Sequence, residues 1–416
     1  MTSPNPILIL PFVLLIGAMA LAPIIAQGWW LKHYGKVALG LAALMAGIYL
    51  FVLKDTASLT HALREYFSFI VLIGSLFVVS GGIHIQAKGP ASPVGNVLFL
   101  LVGGLLANVL GTTGAAVLLI RPWMQFNRGR FRAYHLAFFI FIVANIGGCL
   151  TPIGDPPLFL GFLEGVPFGW MAQHGWPAWC TAMGILLMIF FILDRMNFSK
   201  VKRTGQDAGG GKWEFHGWLN VFCLAVVVSA TFAGHWPFLR EGLMLAAAGF
   251  SYFTTPGKIY QVNDFNFHPI TEVAVLFAGI FTTMIPALAW LDHNAATVLG
   301  ANPSPAIFYW GTGMLSAVLD NAPTYLGFLN ALYGVDGGGE TASAAIAQHP
   351  RHVLAISIGA VFFGAATYIG NGPNFMVKAI AEQSGFRAPS FMLFILRFTL
   401  PYLLPVLIVV WLIFFR

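Results

Sequence analysis

Apolar residues run through this 416-residue chain in stretches of about 20, the length that crosses a bilayer as a helix, with short polar connections between them. The pattern predicts spans over roughly 6–26, 36–53, 66–86, 134–164, 176–194, 217–234, 238–253, 268–290, 352–383 and 388–415. No basic stretch precedes the first run and no small-residue cleavage site follows it, so it is expected as a retained helix rather than a signal peptide. Two looser segments, 93–121 and 304–333, are each long enough for two half-depth helices. Each has a polar centre: Asn108 to Gly114 in the first, Asp320 to Thr324 in the second. Both read as re-entrant hairpins.

Two of the spans are interrupted, and the interruptions repeat. Gly148, Thr151, Ile153, Gly154, Pro157 and Phe159 reappear 216 positions later as Gly364, Thr367, Ile369, Gly370, Pro373 and Phe375. Gly and Pro breaks at corresponding places in two halves of an apolar chain point to unwound backbone facing a cavity at the bilayer midplane, where secondary transporters bind their cargo. The hairpins match at a spacing of 209, which brings Gly104 to Gly313, Val109 to Val318 and Leu110 to Leu319. The expected fold is therefore an all-α polytopic membrane protein built as an inverted-topology repeat, with about ten spans, two re-entrant hairpins and two broken helices. Its halves are 1–194 and 217–416, joined by a polar, basic linker at 195–216 that contains Gly209, Gly210 and Gly211.

Composition agrees with a membrane setting. Hydrophobic residues make up 58% of the chain, charged ones 9%, and the mean hydropathy is +0.79. The net charge of +6 does not imply a nucleic-acid partner, because the basic residues lie in short connections between apolar runs. With the N-terminus outside, Lys32, Lys36, Lys88, Arg121, Arg128, Arg130, Arg132, Arg195, Lys200, Lys202, Arg203, Lys212, Lys258 and Arg387 fall on the cytoplasmic side and only Lys54, Arg64, Arg240 and Arg351 in outer connections, with Arg416 at the outer end. That places both termini outside an inner (plasma) membrane of the bacterial type. The three cysteines lie in apolar stretches and read as buried thiols. Trp29–Trp30 reads as an interfacial belt and Phe138–Phe139 as lipid-facing.

Each half carries one aspartate at membrane depth. Asp155 precedes Pro156–Pro157, where a half-helix should restart, and Asp320 stands just ahead of Pro323. Either could simply cap the helix behind it. A carboxylate at that depth is costly unless paired, hydrated or protonated, however, which makes it a candidate site for transported ions. Two neighbouring acids would titrate as a pair, one releasing a proton as a cation arrives. Oxygen ligands for a hard cation such as Na⁺ are available from Thr112, Thr113, Thr151, Asn321, Thr367, Asn371 and Asn374, each of which could also serve only packing or capping. No further cofactor is expected. Glu272, His268 and Arg397 read as interfacial or snorkelling groups, and Lys378 with Glu382 as a surface pair.

The runs Ala144–Asp155 and Val318–Pro323 resemble the NhaD-type sodium/proton antiporters of the ion-transporter superfamily that also holds arsenite permeases and citrate carriers. The segment Pro156–Leu160 departs from the small polar residues of that group. The resemblance implies a homodimer in which the first three helices of each half form a scaffold for a moving domain of hairpins and broken helices. It also implies exchange of Na⁺ for H⁺ by alternating access. The alternative is a Na⁺- or H⁺-coupled symporter of citrate or another carboxylate or oxyanion, against which stands the lack of an arginine at the motifs. An intramembrane aspartyl protease would need Gly-x-Gly-Asp, and Pro152–Asp155 lacks the first glycine. The chain thus reads as a transporter rather than an enzyme.

Overall fold

The computed structural model describes residues 5–86, 91–198, 214–231, 233, 238–263, 265–300, 303–335 and 342–416; the central part of the linker, with Gly209 to Gly211, lies outside them. The helices of the first half are α1 (Leu10–Ile25), α2 (Gln27–Gly47), α3 (Thr56–Gly81), α4 (Pro93–Phe126), α5 (Ala133–Ile142), α6 (Pro156–Leu163), α7 (Trp170–His174) and α8 (Trp176–Phe198). Those of the second are α9 (Trp218–Ala230), α10 (Leu239–Thr254), α11 (Gly257–Val262), α12 (His268–Thr283), α13 (Ile285–Leu299), α14 (Pro305–Ser316), α15 (Asn321–Val335), α16 (Ala342–Gln348), α17 (Pro350–Gly364), α18 (Gly372–Gln383), α19 (Phe391–Phe394) and α20 (Leu404–Phe414). A three-residue antiparallel ladder pairs His84–Gln86 with Glu214–His216 and ties the end of the linker to the first half. Among the described residues, seven helices are long and apolar enough to cross a membrane. The chain is an all-α polytopic membrane protein.

Two helices start earlier than their hydropathy suggests. α2 begins at residue 27 rather than 36, and α3 at 56 rather than 66. Asp55 fixes the second start: its carboxylate accepts from the Ser58 amide at 3.0 Å and the Ser58 hydroxyl at 2.6 Å, satisfying donors that the first helical turn leaves free. A cap of this kind carries no hydropathy signal.

α4 is the length of a full span but doubles back. Gly111 sits at φ +74° and ψ 153°, which ends one half-helix and starts another. The two halves face each other around that residue. Asn96 and Asn127 exchange side-chain amide hydrogen bonds of 2.7 and 3.0 Å, the rings of Phe99 and Trp123 lie 5.1 Å apart, and Gly103 faces Leu119. α14 and α15 form the second hairpin, with Phe328 against Gly311 and Phe308 and the tip at residues 317–320.

The broken helices run in opposite directions. α5 starts where α18 ends, with Phe131 edge-on to Phe386 at 4.8 Å. α17 starts beside the residues that follow α6 and α7, where Leu354 faces Gly175. The first hairpin opens on the α5 side, near Arg130. The second opens on the α17 side, where the His352 ring contacts the Pro303 carbonyl at 2.8 Å. Such a course is that of an inverted repeat.

Three expectations change in the fold. Arg130 is not a solvated loop charge but lies buried against Asp194, which also accepts from Asn96 at 2.9 Å and Tyr134 at 2.8 Å and so locks the first hairpin's base to α5 and α8. Phe138 and Phe139 are buried in the core against Phe190 and Trp123 rather than facing lipid. Cys180 is exposed, whereas Cys149 and Cys223 are buried. Spacing along one helix cannot show which face meets another helix and which meets lipid, because both partners are apolar.

Candidate functional site

Each broken helix unwinds through the same set of backbone contacts. The Thr151 hydroxyl donates to the Asn108 carbonyl at 2.6 Å and accepts from the Gly154 amide at 3.1 Å. The Thr367 hydroxyl donates to the Ala317 carbonyl at 2.6 Å and accepts from the Gly370 amide at 3.0 Å. Residues 151 and 367 are 216 apart and 108 and 317 are 209 apart, so the two spacings read in the sequence recur as one pair of equivalent hydrogen bonds. The breaks also need their glycines. A Cβ on Gly154 would strike the Gly148 carbonyl, and one on Gly370 would come within 2.7 Å of the Gly364 carbonyl. Only glycine lets the strands of each break cross this closely.

Asp155 stands where the first break meets both hairpin tips, with 0% of its surface exposed. It occupies the N-cap of α6, yet its side chain makes no capping bond. Instead Oδ1 accepts from the Thr112 hydroxyl at 2.7 Å and the Asn371 amide at 3.0 Å, and Oδ2 accepts from the Asn321 amide at 2.7 Å. The four residues form two related pairs: Thr112 and Asn321 sit at the hairpin tips 209 apart, and Asp155 and Asn371 at the breaks 216 apart. All three donors are neutral, so they offset part of the desolvation of the carboxylate without cancelling its charge. The Asn321 Oδ1 atom is buried there and has no hydrogen-bond partner. The centre thus offers a carboxylate and a spare carbonyl oxygen, the donor type that hard cations take.

The remaining sequence candidates separate by position. Asp320 does cap its helix, accepting from the Ala322 amide at 3.1 Å, and it lines a cavity of about 1540 Å³. Thr113 lines the same cavity. Thr151 and Thr367 spend their hydroxyls on backbone, as described above. Asn374 donates to the carbonyls of Gly364 and Thr367, both at 2.8 Å, and accepts from Asn145 at 2.7 Å, so it closes the end of α17 and does not reach the carboxylate. Asn108 and Asn145 were missed in the sequence. Asn108 bonds the Gly147 carbonyl and the Leu150 amide at 2.7 and 2.9 Å, and Asn145 accepts from Asn371 at 3.0 Å. Asn108 falls in the predicted polar centre of the first hairpin, but Asn145 carries no local signal.

Pro156, Asn371 and Asp320 line this cavity; Pro156 follows Asp155 in the chain and Asn371 donates to its carboxylate. Arg121, Lys378, Arg387 and Arg397 line it as well, with Glu272 and Glu382 as further acids. The motifs contain no arginine, as the sequence suggests, but the chamber they face does. Lys378 pairs with Glu382 at 3.1 Å, as their spacing of four predicts, and the pair faces this chamber.

Residues 2–415 match a protein-family model described as "Putative citrate transport". No curated protein matches the chain.

Proposed function

Because the chain belongs to that family, CitMHS_2, an ion-transporter family whose model spans nearly all of it, we propose that it is a secondary transporter that moves a carboxylate such as citrate, coupled to Na⁺ or H⁺ at Asp155. The observation that carries this reading is the cavity of about 1540 Å³ whose lining includes Asp320 and Asn371, the second of which is bonded to the buried Asp155. Pockets for drug-sized ligands occupy roughly 300–1,000 Å³, so the chamber has room for an organic anion with some of its water, far more than a bare ion needs. The coupling ion would sit between the Asp155 carboxylate and the free Asn321 oxygen. α6, α15 and α18 begin at this centre, and the positive ends of half-helix dipoles would favour an anion nearby. Arg121 and Arg387, which the distribution of loop charge makes cytoplasmic, line the cavity, so this conformation reads as inward-facing. Alternating access would then move the hairpins and broken helices against the remaining helices.

Exchange of Na⁺ for H⁺ without a carboxylate is the second reading. It is favoured by two membrane acids, Asp155 and Asp320, of which the first has only neutral hydrogen-bond donors. Purified protein in liposomes with an internal pH dye separates the two. Citrate uptake that depends on a Na⁺ or H⁺ gradient is the expected result. Proton exit driven by external Na⁺, with no carboxylate taken up, would replace the first reading by the second.

A further expected result holds for either reading in which protons and Na⁺ compete at Asp155. The half-saturating Na⁺ concentration should rise as pH falls, approaching about tenfold per pH unit for each proton displaced once the site is mostly protonated. A titration of Na⁺-dependent transport from pH 6 to 9 measures this. A flat affinity would mean that the carboxylate does not trade a proton for the ion.

A further inference from the structure

We propose that Arg397 is the residue that recognises the substrate's carboxylate, which rests on the carboxylate-transport reading above and names the group that selects the anion. Arg397 lies six residues after Phe391, the first residue of a candidate span that ends at Phe414, and thus roughly 9 Å along the helix at 1.5 Å per residue. Its backbone belongs to a π-helical stretch, Ile395–Leu403, in which the Leu404 amide bonds back five residues to the Thr399 carbonyl. Such stretches are rare and concentrate at functional sites. This one also contains Pro401, which cannot donate to an α-helical ladder.

The stretch is fastened to the second break. The Thr399 hydroxyl donates to the Ala366 carbonyl at 2.7 Å, and the rings of Phe394 and Tyr368 lie 4.4 Å apart, tilted by 39°. Arg397 is therefore held against the same segment that supplies Asn371 to the central carboxylate, and its side chain lines the cavity that reaches Asp320.

The other groups on that cavity leave Arg397 available. Lys378 is paired with Glu382, and Arg121 donates to the Asn263 carbonyl at 2.9 Å. Arg397 and Arg387 have no hydrogen-bond or ion-pair partner among the described residues. A guanidinium at this depth is costly when it has nothing to neutralise it. Its planar fork matches a carboxylate bidentately, which a point charge does not. Arg387, ahead of the span, supplies a second cation on the same chamber, so the ligand that fits is a di- or tricarboxylate rather than a monocarboxylate.

The test is labelled citrate uptake into liposomes by the wild-type protein, Arg397→Gln and Arg397→Lys, with succinate, acetate and phosphate as competitors and a size-exclusion profile in detergent as the check on folding. Arg397→Gln is expected to raise the KM for citrate on the order of 10- to 100-fold with little change in maximal rate, since a charge-assisted bond is lost while the central site stays intact. Arg397→Lys should fall between, keeping the charge but losing the fork. Citrate and succinate should outcompete acetate and phosphate in the wild type, and that advantage should shrink in Arg397→Gln. If Arg397→Gln fails to fold, the same comparison is read from Arg397→Lys. Wild-type uptake with an unchanged KM in the variants would overturn the assignment and leave Arg397 as a group reaching for the interface. Phosphate competing as well as citrate would overturn the carboxylate class. Absence of any carboxylate uptake by the wild type would instead remove the carboxylate-transport reading, and this inference with it.

Discussion

Asp155→Asn is expected to fold and to lose coupled transport by at least about 100-fold, because on the proposed reading the one uncompensated charge at the centre binds the coupling cation. Whether the variant folds depends on its donors. An amide at position 155 replaces one carboxylate oxygen by an NH₂, and Oδ1 faces the Asn371 amide while Oδ2 faces the Asn321 amide. Turned one way, the new NH₂ meets the donor of Asn371. Turned the other, it meets Asn321, whose own carbonyl oxygen is buried without a partner. Asn321 can rotate its amide by half a turn and present that oxygen to the new donor, so every bond to position 155 is kept while the charge is lost. The measurement is uptake in liposomes beside a size-exclusion profile in detergent. Wild-type transport by a monodisperse Asp155→Asn protein would show that the carboxylate only holds the hairpin tips together. A loss of the folded species would show instead that the charge itself holds the centre.

Gly154→Ala should have the largest effect on the fold. The added methyl would overlap the Gly148 carbonyl, which belongs to the backbone of the same break and has little room to move, since the Gly154 carbonyl accepts from the Thr112 amide at 2.7 Å and the Gly148 amide is held by the Asn145 carbonyl at 3.0 Å. Overpacking of a well-filled core costs about 1–3 kcal/mol, and an overlap between two fixed backbone segments belongs at or above the top of that range. That is enough to remove much of the folded population of a protein of ordinary stability. Gly184→Ala on α8, with nothing within 4 Å of its would-be Cβ, is the matched control and should be neutral or slightly stabilising. Thermal unfolding in detergent compares the two. Equal melting temperatures for both variants and the wild type would mean that the crossing can open without loss.

The same elements show how much of this protein is local. Hydropathy places the spans because a bilayer core requires about 20 apolar residues in a row, and the repeated Gly and Pro positions place both breaks because Pro cannot continue a helical ladder and Gly takes the conformations a break needs, while nearby groups satisfy the freed backbone. Polar centres at Asn108 to Gly114 and at Asp320 to Thr324 mark the hairpins for the same reason. The all-α class, the two breaks and the aspartates beside them are therefore legible from residue type and spacing alone.

The roles of those residues are not. Thr151, Thr367 and Asn374 have the same oxygen chemistry as Thr112, Asn321 and Asn371, but the first three turn to nearby carbonyls and the last three to Asp155. Asp155 and Asp320 both precede prolines at helix starts, and only Asp320 caps. Arg397 reads along its own helix as a snorkelling group and becomes a lining residue only because the last span bends through a π-helical stretch against the second break. Hydrogen-bond direction and cavity exposure depend on which segments meet in space, and the partners here lie 43, 166 and 216 residues from Asp155. Local propensity sets where a helix breaks; the tertiary fold decides which atoms the break presents, because a buried polar group takes whichever partner the packing brings within about 3 Å.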